Sequence, residues 1–317
     1  MADCPLCDIR HAGGLEVCPE LRTGETVLGK YAVGALLGVG GMAAVYKVSH
    51  PVLRREIALK ILHKRFSTDA ELAARFIREA RETAGMGHSA FVGVHDAGTT
   101  EDGCAFIEMD RLEGRDLYSV RKAEGALAVD RVVAIAVKVL DALVALHGRG
   151  VIHRDLKAAN IFLVPTTEGA EQVKLLDLGF AKVEDDLQLT SPDALLGSPF
   201  YISPEQYIDP TTVDDRADLF SLGIVLFEVL TGGWPYTYGS KRDLLHKVVT
   251  GEIERHPSTR RPEVPPWIDA IVARALAYER EDRFESAAAM KQAFEAGAAP
   301  APAEPGRPGF FRRLIGR

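Results

Sequence analysis

The segment IHRDLKAAN occupies residues 152–160, and the tripeptide DLG follows it at residues 177–179. The first segment places a carboxylate, an amine and an amide close together, at Asp155, Lys157 and Asn160, and the tripeptide adds a second carboxylate. One carboxylate can orient an attacking hydroxyl, while an amide and another carboxylate can hold Mg²⁺ and a lysine can balance charge on a moving phosphoryl group. The pattern therefore predicts a site for phosphoryl transfer from ATP.

A glycine-rich segment, LGVGGMAAVY, occupies residues 37–46 between two strand-like runs at residues 31–37 and 45–48. Glycines let backbone N–H groups come close to phosphate oxygens. The context predicts a hairpin whose tip covers a triphosphate, although glycine also serves any ordinary turn. The residues of this tip are Leu37, Gly38, Val39, Gly40 and Gly41.

Two further segments predict a strand and a helix. EIALKIL at residues 56–62 alternates apolar and polar positions, which is typical of a strand, and it carries Lys60 among aliphatic neighbours. Residues 67–69 offer helix caps, and apolar residues then recur at a spacing of four over residues 72–80. A lysine in a strand is most often solvated, so Lys60 alone does not indicate a functional site.

In this order, the segments resemble the eukaryotic-like (Hanks-type) serine/threonine protein kinases, in their bacterial branch. The resemblance covers about residues 27–297. It implies an α+β, two-lobed kinase fold, with a strand-rich N-lobe (27–112) that has one regulatory helix and a helical C-lobe (113–297). Two departures are mild, because Ala43 replaces the third glycine of the family's G-x-G-x-x-G loop and Leu178 replaces its usual phenylalanine.

The resemblance assigns chemical roles to the polar groups. It implies that Asp155 accepts or orients the proton of the substrate hydroxyl, and that Asn160 and Asp177 hold two Mg²⁺ ions. A lysine at the position of Lys157 is typical of the catalytic loop in the serine/threonine class. Lys60 would bind the α- and β-phosphates of ATP. The implied cofactors are therefore ATP and Mg²⁺, and the implied substrates are proteins with serine or threonine hydroxyls.

Lys60 needs a carboxylate partner, and the resemblance assigns Glu79 to this role. Glu71 and Glu82 are competing carboxylates on the same predicted helix. The resemblance also implies an adenine pocket with apolar walls and a hinge that offers backbone polar groups. In this pocket Met109 is the gatekeeper behind the ring, and the remaining positions are Leu37, Val45, Ala58 and Leu163 as walls with Asp110 and Leu112 in the hinge.

Matches to the family continue downstream. SPE at residues 203–205 stands where the family has A-P-E, at the peptide-docking end of the activation segment. Asp218 matches the aspartate that anchors the catalytic loop. Glu205 and Arg283 match a structural ion pair, which we expect to be buried.

The activation segment carries two hydroxyls, Thr190 and Ser191, in an acidic and polar stretch. A phosphate there would pair with Arg154 and Lys182 and order the segment. The alternative is that both hydroxyls are merely solvated.

Composition limits the other possibilities. The chain has 317 residues with 45 acidic and 38 basic side chains and a net charge of −7, which gives no indication of nucleic-acid binding. The longest apolar stretch, residues 219–230, is too short to span a bilayer and predicts a buried helix. The first residues do not resemble a signal peptide. We therefore expect a cytoplasmic protein.

Residues 1–26 form a predicted appendage that contains three of the four cysteines. A Cys-x-x-Cys pair with a third cysteine favours a metal over a disulfide in a cytosolic chain. A structural zinc site needs four ligands, and only Cys4, Cys7 and Cys18 are available as thiolates here. His11, which is nearest, or else His50 or a carboxylate such as Asp8 or Glu20, would have to complete the site. The alternative is a degenerate zinc ribbon that binds nothing.

Residues 298–317 begin as an Ala/Pro/Gly-rich linker and end in the aromatic and basic sequence FFRRLIGR. Such a tail could contact a partner or an anionic membrane, or it could bind nothing. The sequence does not determine the oligomeric state.

A second class of function is a pseudokinase scaffold that binds partners without phosphoryl transfer. Loss of Lys60, Asp155 or Asp177 would favour it, and all three are present. A small-molecule phosphotransferase fits less well, because the peptide-docking segment around residues 203–205 is present.

Overall fold

The computed structural model describes residues 23–178 and 199–298. The predicted zinc ligands, the hydroxyls of Thr190 and Ser191 and the C-terminal tail lie outside these ranges. Within them, the fold is α+β with a strand-rich first lobe and a helical second lobe, as predicted.

The first lobe contains one antiparallel sheet. Its strands are β1 (Thr26–Val27), β2 (Tyr31–Val39), β3 (Ala43–His50), β4 (Arg55–Leu62), β5 (Val94–Thr99) and β6 (Ala105–Asp110). Their order in the sheet is β1-β2-β3-β4-β6-β5. Both faces of the central strands are covered, because Leu59 packs into an apolar cluster on one face and Leu62 packs with Phe76 on the other.

Two helices follow β4 in this lobe: α1 (Lys64–Ser67) and α2 (Ala70–Gly85). The side chain of Asp69 caps α2 by accepting hydrogen bonds from the amides of Glu71 and Leu72, so the predicted capped helix is confirmed. The predicted regulatory helix is α2, and the single turn of α1 before it was not predicted. A one-turn helix is too short to show an apolar period.

The second lobe begins with a small sheet and is otherwise helical. The sheet has the order β7 (Arg115–Asp116), β8 (Ile161–Pro165) and β9 (Glu171–Leu175). The helices are α3 (Leu117–Glu124), α4 (Val129–His147), α5 (Pro204–Ile208), α6 (Arg216–Thr231), α7 (Lys241–Thr250), α8 (Pro266–Ala275) and α9 (Ala287–Ala298). The lobes meet where the amide of Leu175 donates to the carbonyl of Ala90.

Helix α6 forms the centre of the second lobe. Every residue from Ala217 to Leu230 is buried, which confirms the buried helix predicted from the apolar run. Gly223 allows α8 to approach closely, because a Cβ at this position would lie 3.1 Å from the Cβ of Ala275, the last residue of α8. No helix within the described ranges is long and apolar enough to cross a membrane.

Candidate active site

Lys60 lies between two carboxylates. β4 carries this lysine opposite Val45 of β3 and Ile107 of β6. Its Nζ is 3.1 Å from Oε1 of Glu79 on α2 and 2.7 Å from Oδ1 of Asp177. The predicted contact between Lys60 and Glu79 is present. The competing Glu71 contacts Arg75 instead.

Burial and charge act against each other in this cluster. Burial favours the neutral form of Lys60, but Asp177 and Glu79 raise its pKa above the ordinary value. Burial raises the pKa of Glu79 to about 7, against the pull of Lys60. The side chain of Asp177 is 51% exposed; partial desolvation opposes its ionisation, but Lys60 holds its pKa below the usual range. Asp177 is therefore a stable anion at neutral pH.

The catalytic loop brings Asp155, Lys157 and Asn160 together. Nζ of Lys157 lies 2.8 Å from Oδ2 of Asp155. The side-chain Nδ2 of Asn160 donates to the backbone carbonyl of Asp155 at 2.9 Å and to Oδ2 of Asp155 at 3.2 Å. The carbonyl of Asn160 accepts from the amide of Leu176 at 2.9 Å, which places Asn160 beside Asp177. The four groups predicted from the sequence thus share one site.

Asp218 on α6 holds this loop in place. Its buried carboxylate accepts from the amides of His153 and Arg154 at 2.8 and 2.9 Å, and it contacts Nε2 of His147 at 2.8 Å. Arg154 has a φ of +62°, a left-handed conformation that is unfavourable for arginine. The two hydrogen bonds stabilise this turn, so the anchoring role predicted for Asp218 agrees with the geometry.

The peptide-docking end of the activation segment is joined to the same loop. Gln206 donates to the carbonyl of Arg154 at 2.9 Å and forms a capping box with Ser203 at the start of α5. Arg283 donates to both carboxylate oxygens of Glu205, at 2.6 and 2.8 Å. The expected ion pair of Glu205 and Arg283 is confirmed.

The predicted adenine walls lie on both lobes. Ala58 on β4 pairs with Met109 on β6, and both precede the link between the lobes. Leu163 is buried on β8, whereas Leu37 at the edge of the glycine loop is largely exposed. Val45 is half-buried on β3. The predicted wall residues therefore come from both sides of the interlobe cleft.

One backbone group of the predicted hinge already has a hydrogen-bond partner. The amide of Asp110 already donates to the carbonyl of Gly93 at 2.8 Å, and its carboxylate contacts His95 at 2.8 Å. The N–H of Asp110 therefore already has an acceptor. The prediction assigned backbone polar groups of residues 110–112 to the adenine edge without choosing this N–H, so it stays a prediction. The carbonyl of Asp110 and the backbone of Leu112 stay as the predicted hinge contacts.

The comparisons with known proteins agree with this geometry. The family model described as "Protein kinase domain" matches residues 31–295. The chain belongs to the protein kinase family. Pkn3 of Myxococcus xanthus, a serine/threonine-protein kinase, is 37% identical over 279 residues, which cover 86% of this chain and 51% of pkn3. PknH of Mycobacterium tuberculosis, also a serine/threonine-protein kinase, is 38% identical over 262 residues, which cover 83% of this chain and 41% of PknH. The chain thus spans about half of these relatives or less.

A solved structure shows the same fold. The kinase domain of PknI from Mycobacterium tuberculosis matches with a TM-score of 0.68 and 29% identity, covering 89% of this chain and all of that one. The two serine/threonine kinase relatives confirm the bacterial branch suggested by the sequence.

Kinase membership implies the use of ATP and Mg²⁺, and the residues present fit the metal. Asp177 directs only Oδ1 at Lys60, and Asn160 directs its amide nitrogen at Asp155. Within the described residues, Oδ2 of Asp177 and Oδ1 of Asn160 have no hydrogen-bond partner. Mg²⁺ prefers such oxygen ligands. Among the described residues, no group of three or more His, Cys, Asp or Glu side chains forms a further metal site.

The glycine loop of this kinase is held by two residues that the sequence did not reveal. The ring of His63 contacts the carbonyl of Gly40 at 2.9 Å, and Arg65 donates to the carbonyl of Gly41 at 2.9 Å. Gly38 and Val39 at the tip are exposed. A basic residue just after the lysine strand is the only sequence signal, and it is too common to be informative.

Proposed function

We propose that the chain is an ATP-dependent serine/threonine protein kinase that transfers the γ-phosphoryl group of Mg-ATP to protein hydroxyls and phosphorylates itself. The observation that carries the proposal is the cluster in which Lys60 contacts Glu79 and Asp177 while Asp155 contacts Lys157. This arrangement supports the assignment of Lys60 to phosphate binding and of Asp155 to orientation of the hydroxyl.

Each group has one task in this mechanism. Asp155 orients the substrate hydroxyl and accepts its proton, while Lys157 balances charge on the transferred group. Lys60, held by Glu79, binds the α- and β-phosphates. Asn160 and Asp177 would hold Mg²⁺, which would neutralise charge on the triphosphate.

A pseudokinase scaffold has no support among these contacts, because the groups needed for transfer are all present. We propose residues 27–297 as the catalytic domain, with the lobes divided at residues 112 and 113. A zinc site at the N-terminus, a docking tail after residue 298 and a cytoplasmic location are separate proposals that rest on the sequence.

Incubation of the purified protein with γ-labelled ATP and Mg²⁺ tests the kinase proposal. Label is expected on the protein itself and on a generic basic substrate, as phosphoserine or phosphothreonine, and chelation of Mg²⁺ should abolish it. Binding of ATP without any transfer of label would favour the scaffold instead.

A further inference from the structure

Three aromatic rings form a platform beside the end of the activation segment. The rings of Phe200 and Trp234 are stacked, with centroids 4.2 Å apart and an interplanar angle of 8°. Tyr238 lies 5.2 Å from Phe200 and 6.5 Å from Trp234, and it is 40% exposed. Phe200 and Trp234 are only half-buried. We call these three residues the aromatic platform.

The platform lies within reach of a peptide at the catalytic aspartate. Phe200 is three residues before Ser203, so the two are at most about 10 Å apart. Ser203 forms the capping box with Gln206, and Gln206 contacts the carbonyl of Arg154, the neighbour of Asp155. An extended peptide advances about 3.3 Å per residue. A few residues on one side of the accepting hydroxyl would therefore reach the platform.

The loop that carries Trp234 and Tyr238 is fixed by cations. Arg121 donates to the carbonyl of Gly232 at 3.4 Å and Arg260 to that of Trp234 at 2.8 Å. Lys247 donates to the carbonyl of Thr237 at 2.5 Å. The platform is also tied to the activation segment, since the hydroxyl of Tyr236 donates to the carbonyl of Phe200. A surface fixed in this way loses little conformational freedom when it binds a side chain.

The carboxylates around this loop are already paired. Oε1 of the buried Glu228 lies 2.7 Å from Arg121, and its Oε2 accepts from the hydroxyl of Tyr201 at 2.6 Å. Glu254 pairs with Arg260 at 2.6 Å, and Asp243 lies 3.8 Å from Lys247. These carboxylates therefore attract a basic side chain of a substrate only weakly.

We infer that the aromatic platform selects protein substrates that carry an aromatic or large aliphatic side chain a few residues from the accepting serine or threonine. The inference rests on the proposed kinase activity. Exposed rings at the edge of a reactive site favour apolar partners, because stacking and burial stabilise the contact. A basic side chain gains less, because the carboxylates beside the platform are already paired with Arg121, Arg260 and Lys247.

A peptide series tests the selection directly. Each peptide contains one serine in an alanine background, with Phe, Arg or Ala placed at one position within five residues of the serine. We expect Phe to exceed Ala in kcat/KM by about tenfold at one position, equivalent to about 1.4 kcal/mol. Arg at that position should give no gain. The ratio should fall close to one in Tyr238→Ala and Trp234→Ala and be retained in Tyr238→Phe.

Leu53→Ala is the matched control, because Leu53 is a 69% exposed apolar residue on the turn between β3 and β4. This variant should keep the preference of the unmodified protein. Absence of a Phe preference at every position, or its persistence in both alanine variants, would overturn the inference. Failure to phosphorylate any peptide or itself would instead count against the proposed kinase activity.

A binding measurement separates the two failures. The chain has two tryptophans, so Trp267→Phe leaves Trp234 as the only tryptophan. The preferred Phe peptide should shift the emission of Trp234 in this variant, and the matched Ala peptide should not. An emission spectrum that stays unchanged at saturating Phe peptide would overturn the inference even without any turnover.

Discussion

The guanidinium of Arg283 is fully buried and donates to both carboxylate oxygens of Glu205, which lies 78 residues earlier in the chain. Arg283 also donates to the carbonyls of Ala277 and Tyr278, both at 2.9 Å. These bonds join α5, at the end of the activation segment, to the segment that follows α8. A buried pair with satisfied hydrogen bonds positions these elements, whatever its net contribution to stability.

Glu205→Ala should destabilise the protein strongly. The substitution leaves the Arg283 cation buried without its carboxylate, and loss of one partner of a buried pair costs about 3–5 kcal/mol. Urea unfolding measures the change in the free energy of unfolding. Glu281→Ala is the control, since Glu281 is 66% exposed and pairs with Arg280 on the surface, where a pair contributes about 0–1 kcal/mol. Equal losses in the two variants would contradict a structural role for the buried pair.

Asp155→Asn should abolish phosphoryl transfer while ATP binding survives. Asparagine keeps the shape of the side chain but cannot accept the hydroxyl proton. Single-turnover assays with a peptide substrate measure transfer, and nucleotide titration measures binding. Lys60→Met provides the contrast, because it should weaken the positioning of the phosphates. Activity of Asp155→Asn within tenfold of the unmodified protein, about 1.4 kcal/mol of barrier, would refute the assignment.

Much of the fold and the site could be predicted because the residues that specify each element lie close together in the sequence. Alternation in residues 56–62 identified β4, and the cap at Asp69 identified the start of α2. The unbroken apolar run in residues 219–230 identified the central helix. The groups around Asp155 lie within one short segment, so their proximity follows from the chain itself.

Contacts between distant segments were less predictable. His63 and Arg65 contact carbonyls of the glycine loop 23 and 24 residues away, and neither residue type indicates such a role. The amide of Asp110 donates to the carbonyl of Gly93, and neither residue type indicates this contact. The stacking of Phe200 on Trp234 joins two loops, and neither local periodicity nor residue spacing specifies that contact.

The activity should depend on pH through Glu79. Burial raises the pKa of this carboxyl to about 7, and its ionised form is the one that holds Lys60. We therefore expect kcat/KM to rise with pH through about 7, since this parameter reports ionisations of the free enzyme. Glu79→Gln should lower the activity and remove this rise. A rise that is unchanged in Glu79→Gln would assign the ionisation to another group.

The same ionisation should affect stability with the opposite sign. The folded state holds the Glu79 proton more tightly than the unfolded chain, whose carboxyl has a pKa near 4.5. The contribution of Glu79 to the free energy of unfolding is thus complete below pH 4.5 and is lost as the pH rises through about 7. Comparison of urea midpoints for the unmodified protein and Glu79→Gln across this range isolates the contribution.

The N-terminal cysteines should bind one Zn²⁺ per chain. In this proposal Cys4, Cys7 and Cys18 would supply three thiolates, and His11 is the candidate for the fourth ligand. Elemental analysis of protein produced without a histidine tag measures the stoichiometry. Cys7→Ser should lose the metal, whereas Cys104→Ser should keep it, because Cys104 is buried in the first lobe. A stoichiometry near zero after zinc-supplemented expression would refute the site.

Phosphorylation at Thr190 or Ser191 should activate the kinase. Arg154 lies beside Asp155, and within the described residues its guanidinium has no hydrogen-bond or ion-pair partner. A phosphate carries a charge of about −1.5 to −2 and would pair with this arginine, together with Lys182, and order the activation segment. Mass spectrometry after incubation with ATP should find phosphate on one of the two hydroxyls in the unmodified protein and on neither in Asp155→Asn.

Activity measurements then connect the phosphate to Arg154. The double variant with alanine at Thr190 and Ser191 should lose most of its activity, and Arg154→Ala should respond weakly to preincubation with ATP. Arg149→Ala is the matched control, because Arg149 donates to the carbonyl of Gly85, away from the catalytic loop. Full activity of the double alanine variant would exclude the switch and leave the kinase assignment in place, because the groups around Lys60 and Asp155 do not depend on it.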